Sequence, residues 1–316
     1  MKDLILITCY FGKFPNYFDL FLKSCSWNPF IDWLIVTDDH SSHNFPPNVK
    51  IQYSTLEKIE RIAKEKIGNW IQLKRPYKLC DFKTTYGILF QKDISEYRYW
   101  GHCDIDVVWS EELSNIVLPL LNYNYSRIFK YGHLSIFKNN PTTNNLFKLN
   151  YSGINYKTAL SSNISCGFDE QKGTWQLALE NGINCYHEDI CFDIKRPSPD
   201  KQLKSYTSEN YNEQCFIIEN RHLYQYFKDY NGTIQHIERA YIHFQQRNPI
   251  FNQANNEAHI LQLTQNQFVK LELNWDINNA FERNRQKITF LENFKQQIKQ
   301  YKQTFKFQFL KHQLIK

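Results

Sequence analysis

No stretch of about 18 or more apolar residues occurs in this chain, which excludes a transmembrane helix. The start, Met1 to Cys9, has neither a basic region nor a small-residue cleavage site, so no signal peptide is expected. Cysteine falls at positions 9, 25, 80, 103, 166, 185, 191 and 215 without one Cys-x-x-Cys pair. That argues against a zinc ribbon or a thioredoxin-like site. Scattered Cys without a leader read as reduced, buried thiols, and a cytoplasmic location is expected. Neither Gly-x-Gly-x-x-Gly nor Gly-x-x-x-x-Gly-Lys-Ser/Thr is present, so neither a dinucleotide fold nor a P-loop is supported. Methionine occurs once, against 24 Phe and 20 Tyr. With plentiful Asn and Lys, that skew partly reflects an AT-rich genome and carries little functional meaning.

What remains is a globular composition: 42% apolar and 22% charged residues over 316 positions. That fits one large α/β domain with a helical appendage. The net charge of +6 is unevenly placed. Residues 281–316 hold nine Lys/Arg and two Glu, a net +7, so the other 280 residues sum to −1. A nucleic-acid binder more often has its basic face on the folded domain, so no nucleic-acid partner is expected.

Residues 3–9 and 32–37 are apolar, β-branched runs that read as buried parallel strands. A helical spacing at Tyr17–Ser26 lies between them and completes a βαβ unit. Val49–Tyr53 reads as an edge strand and Leu56–Lys66 as a helix. Pro76 opens a helix through about Phe90. Tyr97–Gly101 is a fourth strand that runs into Asp104-Ile105-Asp106. Arg127–Tyr131, Leu134–Phe137, Ile183–Tyr186 and Ala240–Phe244 are further strands. Gln171–Asn181 is a helix closed by Gly182, and 195–212 is a polar loop. In the tail, Phe290, Phe294, Ile298, Tyr301, Phe305 and Phe309 form one helical stripe beside Lys295, Lys299, Lys302 and Lys306. Such a helix suits an anionic membrane surface. It equally suits packing on the domain with its lysines in water.

The sharpest chemical signal is Asp104-Ile105-Asp106. Residues i and i+2 of an extended chain share a face, and ligands of open α/β sheets bind at the carboxyl ends of strands. Two carboxylates placed together call for a cation, and Mg²⁺ or Mn²⁺ with a diphosphate satisfies them. Asp38-Asp39 follows the second strand, where a carboxylate can accept from a base or ribose, or simply cap a polar turn. Thr8 and Tyr10 end the first strand, and Tyr10 is placed to stack on a base. Asp169-Glu170 precedes a helix and reads either as dipole partner or as general base. His243 ends a late strand and reads as a third metal ligand, with Arg247 near the phosphates, although a lone His is more often structural. Cys185, His187, Glu188, Asp189 and Cys191 match no zinc spacing and read as a polar loop.

Three blocks taken together carry a resemblance: Pro76-Tyr77-Lys78-Leu79-Cys80-Asp81-Phe82-Lys83, Tyr99-Trp100-Gly101-His102-Cys103-Asp104-Ile105-Asp106 and Tyr131-Gly132-His133-Leu134. Over roughly residues 1–250 the chain resembles GT-A glycosyltransferases, and within them a largely uncharacterised family encoded in bacterial capsule and O-antigen clusters. The resemblance implies a GT-A-like, Rossmann-like mixed central sheet flanked by helices. It implies a nucleotide-sugar half at 1–125, an acceptor half at 126–255 and a helical, basic extension at 256–316. It assigns the Mn²⁺ or Mg²⁺ ion to Asp104 and Asp106, with His243 completing the shell. Thr37-Asp38-Asp39 is similar to a uridine-contacting turn. Lys78, Asp81 and Lys83 would lie on a helix facing the nucleotide or donor sugar. Asp169-Glu170 is similar to the acidic pair in which the second residue is the base. The order Asp-Glu departs from that pattern and leaves inversion or retention open.

The expected activity is metal-dependent transfer of a hexose from a UDP-sugar to a hydroxyl of a lipid-linked or oligosaccharide acceptor in capsule, O-antigen or lipooligosaccharide synthesis. Residues 281–316 would hold the enzyme at the inner membrane face. Competing expectations are a nucleotidyl- or phosphotransferase acting on polysaccharide, and a non-catalytic, membrane-associated assembly subunit.

Overall fold

The apolar runs at the start of the chain form strands whose two faces are both covered. Leu4 to Ile7 and Leu34 to Val36 are at most 4% exposed, the burial that all-apolar strands of a helix-flanked sheet require. The structure is a computed structural model that describes residues 2–196, 202–245, 247–252 and 255–285. It divides into two compact units, Met1–Ile190 and Cys191–Lys316.

The first unit contains, in chain order, β1 (Lys2–Tyr10), α1 (Phe18–Ser26), β2 (Ile31–Thr37), β3 (Val49–Tyr53), α2 (Leu56–Lys66), α3 (Leu79–Phe82), α4 (Tyr86–Leu89), β4 (Tyr97–Cys103) and β5 (Val107–Trp109). It continues with α5 (Glu112–Leu120), β6 (Arg127–Tyr131), β7 (Leu134–Lys138), α6 (Pro141–Asn144), α7 (Tyr156–Ser161), α8 (Gln176–Glu180) and β8 (Cys185–Tyr186). Seven strands form one mixed sheet in the order β3-β2-β1-β4-β7-β6-β8. The first four run parallel. β7 is antiparallel to β4 and to β6, and β8 is parallel to β6. Tyr10 is in register with Thr37, and the Thr8 hydroxyl donates to Cys103 O at 2.9 Å. The ends of β1, β2 and β4 therefore share one carboxyl edge. Helices and loops cover one face through a core that includes Ile5, Ile7, Leu34, Ile59, Phe82, Tyr86, Trp100 and Phe168.

The helix expected over 76–90 is broken. A 3₁₀ turn at Pro76–Lys78 precedes α3, and a second at Lys83–Thr85 separates it from α4. The Thr85 hydroxyl donates back to Phe82 O at 2.6 Å, a local bond that competes with the α-helical ladder. The helix expected over 171–181 begins instead as a wide turn at Gln171–Trp175, kinked at Gly173, before α8. Gly182 does close it, with φ +64 and Ile183 N–H donating to Ala178 O at 3.0 Å, as a C-terminal glycine cap does.

The second unit contains β9 (Cys191–Asp193), β10 (Gln214–Glu219), β11 (His222–Lys228), β12 (Ile234–Glu238), β13 (Tyr241–His243), β14 (Ile260–Leu263), β15 (Phe268–Lys270) and α9 (Ile277–Asn284). Five strands make an antiparallel sheet in the order β12-β11-β10-β14-β15. α9 lays Ala280 and Phe281 on Cys215, Ile217 and Ile260. β9 and β13 pair in parallel. The extension expected to be helical from 256 therefore holds two strands before its helix, because Ile260–Leu263 is fully buried beside β10. The basic tail expected from 281 overlaps α9, where Asn284 is buried and donates to Gln214 O at 2.6 Å. The remainder of the tail, including Phe290 to Phe309 and Lys295 to Lys306, lies outside the described residues. Among those described, no helix is long and apolar enough to cross a membrane.

Candidate functional site

At the carboxyl edge of the first unit's sheet, the chain bends after β4. Ile105 turns inward at 5% exposure, while Asp104 and Asp106 on either side of it stay partly exposed. The out-in-out alternation expected of Asp-x-Asp is therefore kept through a bend. Asp104 N–H donates to His133 O at 3.2 Å, which ties this bend to the β6–β7 turn.

Lys83 is the hub. Its ammonium lies 2.6 Å from Asp104 Oδ1 and 3.1 Å from Asp169 Oδ2. It also donates to Gly132 O at 3.0 Å. The lysine is 6% exposed; burial pulls its pKa down, but the charges of Asp104 and Asp169 together outweigh burial and hold it well above the ordinary value. Asp169 is 1% exposed. Burial, with Glu170, Asp104 and Asp81 adding to it, pushes its carboxyl up to about 7, while Lys83 holds it down. Its Oδ1 has no hydrogen-bond partner among the described residues. Glu170 is exposed and accepts from Gly132 N–H at 3.3 Å. The acidic pair is therefore engaged by Lys83 and Gly132, and Glu170 makes no side-chain cap to the turn that follows.

Gly132 is required by this packing. A Cβ there would sit 2.6 Å from Asp169 Oδ2 and 2.8 Å from Glu170 Oε1. Sequence reasoning placed Gly132 only within a block; the signal for its role is a lone glycine between two apolar strands, where backbone and another group approach closely. Arg127 was missed altogether. It is wholly buried, and burial lowers its pKa to about 10.

The other expected contacts of the first unit sit around this centre. Tyr10 stacks on Phe14 with ring centroids 5.4 Å apart, and burial together with Asp106 and Asp39 raises its phenol. Thr8 is buried. Asp38 accepts from Gly12 N–H at 2.7 Å and Asp39 from Phe14 N–H at 2.7 Å. Asp39 also accepts from the Ser41 hydroxyl at 2.7 Å. These bonds hold its carboxyl down at about 2, with Ser41 the leading cause. The pair therefore pins the loop after β1. Lys78 and Asp81 form a fully buried ion pair at 2.7 Å. Lys78 donates to Ala159 O and Ile164 O, each at 2.6 Å, and Asp81 accepts from Phe168 N–H at 2.7 Å. Rather than pointing into the edge, they tie α3 to the segment leading to Asp169.

In the second unit, His243 ends β13, and its Nδ1 lies 2.8 Å from Asp193 Oδ1. Arg247 is buried, with burial lowering its pKa to about 10.

Oxygen donors of this kind suit a hard cation, and groupings of acidic and histidine side chains able to take a metal ion occur among the described residues. The first unit is thus a mixed α/β fold with an acidic cluster joined by one buried lysine at its carboxyl edge. Residues 6–272 match a family of unknown function, DUF6625, and the chain belongs to that family. No curated protein matches it.

Proposed function

We propose that this protein is a metal-dependent glycosyltransferase of GT-A-like fold that moves a sugar from a UDP-sugar to a hydroxyl of a growing surface polysaccharide. The observation that carries the reading is the Lys83 bridge between partly exposed Asp104 and buried Asp169. It joins a candidate metal–diphosphate grip to a candidate acid–base group at one sheet edge. The parallel β3-β2-β1-β4 order with Asp-x-Asp directly after β4 supports the fold assignment.

Asp104 and Asp106 would hold Mn²⁺ or Mg²⁺, which supplies positive charge against the departing diphosphate. Tyr10 and the loop pinned by Asp38 and Asp39 would meet the nucleoside. Glu170, exposed and oriented by Gly132 N–H, takes the acceptor's hydroxyl proton as the acceptor oxygen bonds to the sugar carbon. Asp169 stays behind it, and Lys83 keeps the accumulated negative charge tolerable.

Calorimetry of UDP with Mn²⁺ tests the reading. Asp104→Asn and Asp106→Asn should each abolish metal-dependent UDP binding; Asp104→Asn also costs stability by leaving buried Lys83 with one carboxylate fewer, so circular dichroism of each variant checks that it is folded under the conditions of the titration. Unchanged UDP affinity in both aspartate variants would overturn the proposal. The mass of the product then separates glycosyl transfer from transfer of a phosphate-bearing group.

A further inference from the structure

We infer that Arg127 is a positioning residue: its guanidinium ties together the two loops that carry Gly132 and the Asp169–Glu170 pair. The inference rests on the role proposed above for that pair. Arg127 opens β6, is 0% exposed and forms no ion pair with a carboxylate among the described residues. A buried cation without a counter-ion is costly, so its retention needs a reason. Its surroundings are specific. The guanidinium carbon lies 5.1 Å from the Phe137 ring centroid and 5.2 Å from that of Trp175, which offsets part of the desolvation.

Two hydrogen bonds leave the guanidinium in different directions. One nitrogen donates to Ser135 Oγ at 3.2 Å, and that hydroxyl bonds Tyr131 O at 2.9 Å. This arm steadies a bulge between Ile128 and Tyr131, where Phe129 is forced to φ +68. A bulky residue with positive φ persists only when its surroundings enforce it. The bulge delivers Gly132, whose N–H meets Glu170 and whose carbonyl meets Lys83.

The other nitrogen donates to Thr174 Oγ1 at 3.2 Å, inside the turn that follows Glu170. That turn has no slack, since a Cβ on Gly173 would lie 2.1 Å from Phe168 O. Thr174 N–H donates to the same carbonyl at 2.7 Å. One planar fork therefore fixes both loops, and a lysine, with a single compact charge, cannot copy it.

The test compares Arg127→Lys, Arg127→Met, Ser135→Ala and Thr174→Val in the full chain. The primary readout is the position of the Gly132 amide resonance in ¹H–¹⁵N spectra, with Glu170→Ala as the reference in which its bond to Glu170 is absent. Each variant should move that resonance most of the way from the wild-type to the Glu170→Ala position. Mn²⁺-dependent UDP affinity should stay within about two-fold, because Asp104 and Asp106 are untouched. With a donor that supports transfer, kcat should fall by roughly a hundred-fold at unchanged KM. If Arg127→Met fails to fold, Arg127→Lys and the two single-arm variants decide. A Gly132 amide resonance left at its wild-type position in those three would overturn the inference. Should the wild-type protein fail to bind UDP with Mn²⁺, the glycosyltransferase reading falls, while the amide readout still judges Arg127.

Discussion

Lys83 shows how one side chain links two chemistries. Its charge lies against Asp104, where a cation is proposed to bind, and against Asp169. A bound divalent ion and the ammonium therefore compete for Asp104. A unit charge about 4 Å away is worth ~4 kcal/mol at an effective dielectric of ~20 before relaxation. Lys83→Met should accordingly tighten Mn²⁺ binding, by roughly ten-fold or more, as read by calorimetry. Weaker binding would mean that Lys83 orients Asp104 more than it neutralises it. The same substitution should move the Asp169 carboxyl above its present value of about 7, since Lys83 opposes the upward push of burial. The sign for stability follows from linkage. Asp169 titrates at about 7 when folded against 3.8 for the ordinary group, so the folded state binds the extra proton between those values. Its stabilising contribution is complete below pH ~4 and is lost as the pH rises through ~7. Asp169→Asn should flatten that decline in urea denaturation between pH 4 and 7, and an unchanged slope would assign it to another group.

At the scale of elements, the buried Lys78–Asp81 pair fastens α3 to the stretch from Ala159 to Phe168. Removing one member strands the other's charge in the core, which costs about 3–5 kcal/mol. Lys78→Met should lose stability of that order in urea denaturation. Adding Asp81→Asn should restore part of it, because the stranded charge is gone. Equal losses in the single and double variants would show that packing of the lysine stem matters more than its charge. Why this pair was legible only as site residues is physical: spacing says that Lys78 and Asp81 share a helical neighbourhood, not that their partners are carbonyls 81 and 86 residues away. Locally encoded elements read well. α2 spans Leu56–Lys66 as its apolar spacing predicts, with the Thr55 hydroxyl accepting from Lys58 N–H as its N-cap. The sheet of β10, β11, β12, β14 and β15 went unread. Gln214, Gln225 and Gln262 are wholly buried in it and break the apolar pattern on which strand reading depends. They are satisfied internally: Gln225 Nε2 donates to Gln214 Oε1 at 2.9 Å, and Gln262 Nε2 to Ala280 O at 2.7 Å. Such pairings become visible only once the strands are in register.

For the molecule as a whole, charge separates along the chain. Residues 286–316 hold seven Lys and one Glu, a net +6 equal to that of the entire protein, so residues 1–285 are neutral overall. The cut belongs at 286 rather than 281, because Phe281 and Asn284 are buried parts of α9. If the tail anchors the protein to an anionic membrane, each lysine near the surface contributes ~1 kcal/mol. Seven of them, with the Phe and Tyr stripe between, should then hold the full chain on phosphatidylserine–phosphatidylcholine vesicles at low salt. Binding should weaken as ionic strength rises and the Debye length shortens toward ~8 Å. Deleting residues 286–316 should abolish co-sedimentation, and replacing the lysines with Gln while keeping the aromatic residues should remove most of it. A truncated protein that still sediments with these vesicles would place the membrane contact, and with it the route to a lipid-linked acceptor, on the neutral body instead.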